Sequence, residues 1–151
     1  MRILFVTDTL ASGGAERVIS VLSNNFCQQY DEVEIICLRR HIVFYEISPK
    51  VKIVHLEDYY TDWVGKLKWL RNNIKEDDIV IAFMIKVYCV LLFSLLGLRR
   101  KIITSERNDP KAVPLKWKIM RFLLLPTTTK HVVQTKEIKN YFPRSIQKKH
   151  L

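Results

Sequence analysis

Short apolar runs alternate with longer amphipathic ones along almost the whole chain. Residues 2–6 (RILFV) are rich in Ile, Leu, Phe and Val and read as a buried strand. From Glu16 to Gln29 the apolar positions Val18, Ile19, Leu22 and Phe26 fall near one face of a 3.6-residue period, which predicts a helix. Val33–Leu38 and Val51–His55 read as the second and third strands, and Asp62–Asn73 as a helix carrying Trp63, Leu67 and Leu70 on one side. Asp78–Phe83 is a predicted strand, Val87–Leu96 a mostly apolar helix, Lys101–Thr104 a strand, Leu115–Leu125 a helix and Lys130–Gln134 a strand. Thr135 suits the cap of a last short helix that ends near Phe142, before Pro143. Strands that read as buried on both faces, regularly separated by helices, imply a parallel sheet covered on both sides: a Rossmann-like α/β fold. His41–Pro49 interrupts the alternation as a loop or an irregular edge element. With no internal repeat, low-complexity stretch or visible boundary, residues 1–151 are expected to form one domain around one core.

Composition adds three constraints. Cys27, Cys37 and Cys89 are odd in number, widely spaced and set among apolar neighbours, which fits buried free thiols in a reducing compartment and neither a disulfide frame nor a metal site. The longest stretch without charge, Val87–Leu98, has 12 residues, short of the roughly 18 to 20 that span a bilayer, and no signal peptide opens the chain. A cytoplasmic protein is expected. The net charge of +10 is uneven: residues 1–98 hold 11 Lys/Arg against 12 Asp/Glu, and residues 99–151 hold 14 against 3. That asymmetry points to a polyanionic neighbour (nucleic acid, an anionic membrane surface or a phosphorylated ligand) or to a solvated basic face with no partner.

Doubly wound sheets bind ligands beyond the carboxyl ends of their strands, and this rule selects the candidate site residues. After the first strand comes the opening loop, Thr7 to Glu16. Gly13 and Gly14 allow either a tight turn or a close approach to free N–H groups of the next helix; Ser12 adds a hydroxyl, and Glu16 suits the helix dipole in either case. No third glycine completes a dinucleotide fingerprint. After KIIT comes "SERNDP", where Glu106 can accept a sugar hydroxyl and Arg107 can grip a phosphate, with Asn108 beside them. The alternative is an internal ion pair with Asn108 and Asp109 turning the chain before Pro110. Lys86, at a helix start, is an unfavourable place for a cation unless an anion is near. Thr135 and Glu137 read as helix-start residues, and His55 and His131 as packed strand residues. No order of residues matches a serine or cysteine triad, HExxH or a Walker A loop, and no metal is called for.

The stretch Lys111–Pro126 mixes Lys116, Lys118 and Arg121 with Trp117, Phe122 and a run of leucines. A helix of this kind lies in an anionic lipid interface or packs on the sheet with its charges solvated; in the first case Lys116, Trp117, Lys118 and Arg121 face the membrane. Nucleic-acid binding is disfavoured, because these aromatics belong to an amphipathic helix and not to an exposed sheet platform.

"MRILFVTDTLASGGAERVISVLSN", with "IITSERNDP" and "HVVQTKEIKNYFPRSIQKK", resembles the N-terminal, acceptor-side domain of retaining GT-B-type glycosyltransferases of the group 1, glycogen-synthase-like superfamily, in a branch that makes bacterial surface polysaccharide. The likeness runs from Met1 to about Lys149. It implies a two-domain enzyme with its active site between the domains, no cofactor beyond the nucleotide-sugar donor, and a lipid-linked or polysaccharide acceptor. The C-terminal donor-binding domain is then a missing partner, so this chain alone is expected to be inactive and to work at the inner face of the plasma membrane. Gly13, Gly14 and Arg107 would offset phosphate charge. Many members place a histidine after the strand that corresponds to KIIT; here Glu106 and Arg107 stand in that region as the catalytic candidates. The competing expectation is a non-catalytic binding or membrane-docking module that partners a separate donor-domain protein.

Overall fold

In the computed structural model, which describes residues 1–106 and 112–148, the apolar runs become six strands of one sheet. They are β1 (Ile3–Thr7), β2 (Val33–Cys37), β3 (Lys52–His55), β4 (Ile79–Phe83), β5 (Lys101–Glu106) and β6 (Lys130–Val133). Every neighbouring pair is parallel, in the order β3-β2-β1-β4-β5-β6. All five residues of β1 and of β2 are buried, as central parallel strands require, since helices or loops cover both faces. This is an all-parallel Rossmann-like α/β fold, consistent with half of a GT-B fold.

The helices divide between the two faces. α1 (Gly14–Phe26) joins β1 to β2 and packs through Ala15 and Ile19 on Ile3, Phe5, Val33 and Ile35. α2 (Trp63–Asn73), α3 (Ile85–Ser94) and α4 (Leu115–Leu124) lie together on the opposite face, with α3 between the other two. That position explains why α3 is apolar nearly all round: it touches sheet and helices at once, and Val87, Tyr88, Cys89, Leu91 and Leu92 are all buried. α5 (Lys136–Tyr141) and α6 (Arg144–Gln147) close the described chain, either side of Pro143. Thr135 caps α5 by accepting from the Ile138 N–H at 3.2 Å, and Asp62 caps α2 by accepting from the Gly65 N–H at 2.8 Å; each such cap is worth about 1 kcal/mol.

As expected for His41–Pro49, the segment 39–51 is irregular: it forms a strap on the α1 face in place of a crossover helix. Asn24 of α1 pins it, donating to the Glu46 carbonyl (3.0 Å) and accepting from the Ser48 N–H (2.8 Å). β5 continues through Ser105 and Glu106, and both are buried, so these polar residues are strand and not loop. Trp63 shares the side of α2 that holds Leu70, as expected, but at the open end of the helix, where it is 52% exposed. The three cysteines are free and buried, as expected; burial pushes the Cys37 and Cys89 thiols up to about 12.

Candidate functional site

The strand order places the topological switch between β1 and β4: the chain runs outward through β2 and β3, then returns to build β4, β5 and β6 on the other side. At that point, on the α2–α3–α4 face, the carboxyl ends of the strands open into a cleft of about 530 Å3. Asp8, one residue past β1, and Leu38 and Arg39, just past β2, form one wall; Trp63 of α2, Lys86, Val87 and Val90 of α3, and Trp117 of α4 form the rest. Met84, between β4 and α3, has φ 64°, a left-handed value that costs a non-glycine residue about 1–3 kcal/mol. This connection sets where α3 begins and therefore where Lys86 stands.

The charges around the cleft are mostly positive. Arg39 is held by Asp8 through a two-point pair, its Nε donating to Oδ1 at 2.8 Å and its Nη2 to Oδ2. Lys86 is exposed on the first turn of α3. Lys66 is buried in α2 with its ammonium 5.4 Å from the Trp63 ring centroid, and no carboxylate pairs with it among the described residues. The Lys116 ammonium lies 5.6 Å from the Trp117 centroid. Two indoles beside the exposed Lys86 and a braced arginine can hold a ligand with flat apolar faces and negative charge.

The glycine loop lies at the same end of the sheet but on the α1 face. Gly13 is the N-cap of α1, in extended backbone, and Gly14 is its first residue, with open space where a side chain would project. The Glu16 carboxylate folds over Gly13: a Cβ there would fall 2.2 Å from its Oε2. A negative side chain therefore already lies at the start of α1, which favours hydroxyl donors there over a second anion. Ser12 is exposed beside it.

Glu106 does not stand open to ligand. It is 0% exposed, and its Oε2 accepts from the Tyr88 hydroxyl at 2.6 Å and from Arg121 Nη1 at 3.3 Å. Burial pushes its carboxyl upward, against the opposing pull of Tyr88 and Arg121, and burial beside Glu106 raises the Tyr88 phenol in turn. The Arg121 guanidinium carbon lies 5.3, 5.2 and 5.0 Å from the ring centroids of Phe122, Tyr141 and Phe142. His131, bonded to the Thr104 hydroxyl at 2.8 Å, packs edge-on to Tyr88 and Phe142. The alternative of an internal ion pair at SERNDP thus holds for Glu106, with a partner from α4 that its own motif did not announce. Arg107, Asn108 and the rest of that motif through Lys111 lie outside the described residues.

Arg121 is likewise corrected. It is 0% exposed, so it does not face a membrane; at α4's turn spacing it points inward with Leu124. Trp117 lines the cleft, while Lys116 remains exposed and Lys118 half-buried. Among the expected site residues the structure brings Lys86 and Trp117 together, keeps Ser12, Gly13, Gly14 and Glu16 on the other face, and seals Glu106 beneath the surface. Arg39, Trp63 and Lys66 were not anticipated, and Asp8 falls within the expected Thr7–Glu16 loop without having been singled out. Asp8 and Arg39 directly follow strands, so the carboxyl-end rule alone marks them; nothing local marks Lys66.

No family model matches the chain. It is 30% identical, over 159 aligned residues, to the GalNAc-alpha-(1->4)-GalNAc-alpha-(1->3)-diNAcBac-PP-undecaprenol alpha-1,4-N-acetyl-D-galactosaminyltransferase of Campylobacter jejuni subsp. jejuni serotype O:2. The chain is similar to part of a bacterial glycosyltransferase. The alignment takes in 98% of this chain and 44% of that protein, so the chain spans less than half the length of the curated relative it matches. No described helix is long and apolar enough to cross a membrane.

Proposed function

We propose that this chain is the acceptor-side half of a glycosyltransferase that moves a sugar from a nucleotide-sugar donor to a lipid-linked glycan in bacterial surface glycan synthesis. The observation that carries the reading is the two-indole cleft at the switch point. Its chemistry suits a saccharide joined to a phosphate or diphosphate, the class of acceptor in the relative's name. In this reading Trp63 and Trp117 lie against the C–H faces of sugar rings, while Lys86 offsets phosphate charge. Asp8 fixes Arg39 so that its remaining N–H groups stay oriented. Ser12, Glu16 and the backbone at Gly13 and Gly14 bind hydroxyl groups on the far side of the sheet edge. The Glu106–Tyr88–Arg121 cluster is a positioning element that holds the end of β5 beneath the reacting groups. A second domain supplies the donor site, and the reaction takes place at the inner face of the plasma membrane.

The test uses the chain as it is. Two of its three tryptophans, Trp63 and Trp117, line the cleft, so indole emission reports on occupancy. A short-chain prenyl diphosphate saccharide is expected to shift that emission saturably, and a nucleoside diphosphate sugar to leave it unchanged. A response to the nucleotide sugar alone would assign the chain to the donor side and refute the proposal.

A further inference from the structure

α4 is amphipathic in an inverted sense. A helix that covers a sheet normally turns its polar stripe outward. Here Leu115, Ile119 and Leu123, spaced four residues apart on one stripe, are 71%, 52% and 71% exposed, while the arginine of the same helix is buried. Helical geometry sets Lys116 on one flank of this stripe. Phe122 and then Lys118 lie on the other. α5 lies beside that second flank, where the Phe122 and Tyr141 rings stand 6.2 Å apart, and brings Lys136 and Lys139; Arg144 of α6 and Lys148 follow. An outward apolar stripe between rows of lysines is the arrangement of a helix lying in the plane of a lipid interface, with its apolar residues among the acyl chains and its ammonium groups at the headgroups. The sign of the charge selects the surface, since the last third of the chain carries 14 Lys/Arg against 3 Asp/Glu.

We propose that the outer face of α4, through Leu115, Ile119 and Leu123 flanked by Lys116 and Lys118, docks the domain on an anionic bilayer surface. This deepens the reading above, because a lipid-anchored acceptor is met at a membrane. The inference rests on a surface and not on the cleft, so it is tested without acceptor.

Sedimentation with vesicles of phosphatidylcholine containing a minority of phosphatidylglycerol is expected to recover the chain at low salt. The triple variant Leu115→Gln, Ile119→Gln, Leu123→Gln alters only exposed positions and is expected to bind at least about tenfold more weakly with an unchanged urea midpoint. Lys116→Gln is expected to weaken binding severalfold at low salt and hardly at all at high salt, where screening has removed the electrostatic part. Val21→Gln, on the exposed side of α1, is expected to change nothing. Equal recovery with pure phosphatidylcholine, or full vesicle binding by the triple variant, overturns the proposal. Absence of vesicle binding together with self-association that the triple variant abolishes overturns it in favour of a second copy of the chain. None of these outcomes bears on the acceptor titration, so failure here and failure of the functional reading are distinguishable.

Discussion

Two carboxylates at the carboxyl ends of neighbouring parts of the sheet each pair with an arginine, and the pairs have opposite characters. Asp8, just past β1, holds Arg39 at the rim of the cleft, with side-chain exposures of 32% and 55%. Glu106, the last residue of β5, holds Arg121 with no exposure on either side. In water the first pair gains little, because solvent screens it and two side chains lose freedom. The second has left water altogether, so each partner is costly without the other. Under the proposed function the rim pair serves recognition, whereas the sealed pair is architecture, although both look alike as residue types.

Breaking the sealed pair has the largest expected effect. Arg121→Met leaves Glu106 buried without its cation and is expected to cost about 3–5 kcal/mol, read as a lower urea midpoint. Adding Glu106→Gln is expected to recover a large part of that loss, since the neutral amide removes the stranded charge. If the single variant costs no more than a surface change, the contrast between the pairs is wrong.

A third pair, at the opposite end of the sheet, sharpens the scale. Arg2 donates to Asp78 from Nε (3.1 Å) and Nη2 (2.7 Å), and the Lys75 N–H adds a bond of 2.7 Å to the same carboxylate. Burial works to raise the Asp78 carboxyl, but Arg2 and the Lys75 N–H prevail and hold it below the ordinary range. A depressed acid stabilises the fold above its unfolded pKa, and that contribution is lost as pH falls through the folded value. Asp78→Asn is expected to cost about 1–3 kcal/mol at neutral pH and to flatten the acid limb of a stability–pH curve. An acid limb identical to the wild type would show that Asp78 contributes nothing there.

The rim pair comes last. Arg39→Gln is expected to change the urea midpoint by less than about 1 kcal/mol while weakening acceptor binding. A large loss of stability would place it with the sealed pair.

The fold was legible because its strands are short, β-branched and bounded, and because the alternation with helices admits few topologies. Among the strands the largest boundary shift falls where polar residues are buried. Ser105 and Glu106 read as loop from their side chains, yet β5 pairs through Glu106 with Val133. What makes a carboxylate tolerable in a strand is Tyr88 and Arg121, 18 and 15 residues away in sequence. Such partners come from packing of α3 and α4 over β5, which no local spacing encodes. The same holds for the cleft: Trp63 and Trp117 come from different helices and line one cleft because α3 sits between α2 and α4. α4 was legible as amphipathic, but which stripe faces outward depended on Arg121 finding Glu106.

The central claim is that the cleft, and not the sealed cluster, meets the acceptor. Its most direct test is the titration with a short-chain prenyl diphosphate saccharide, repeated on Lys86→Gln. Lys86 is exposed, so the urea midpoint is expected to stay unchanged while the affinity falls about tenfold, the equivalent of roughly 1.4 kcal/mol. An affinity equal to that of the wild type would contradict the account.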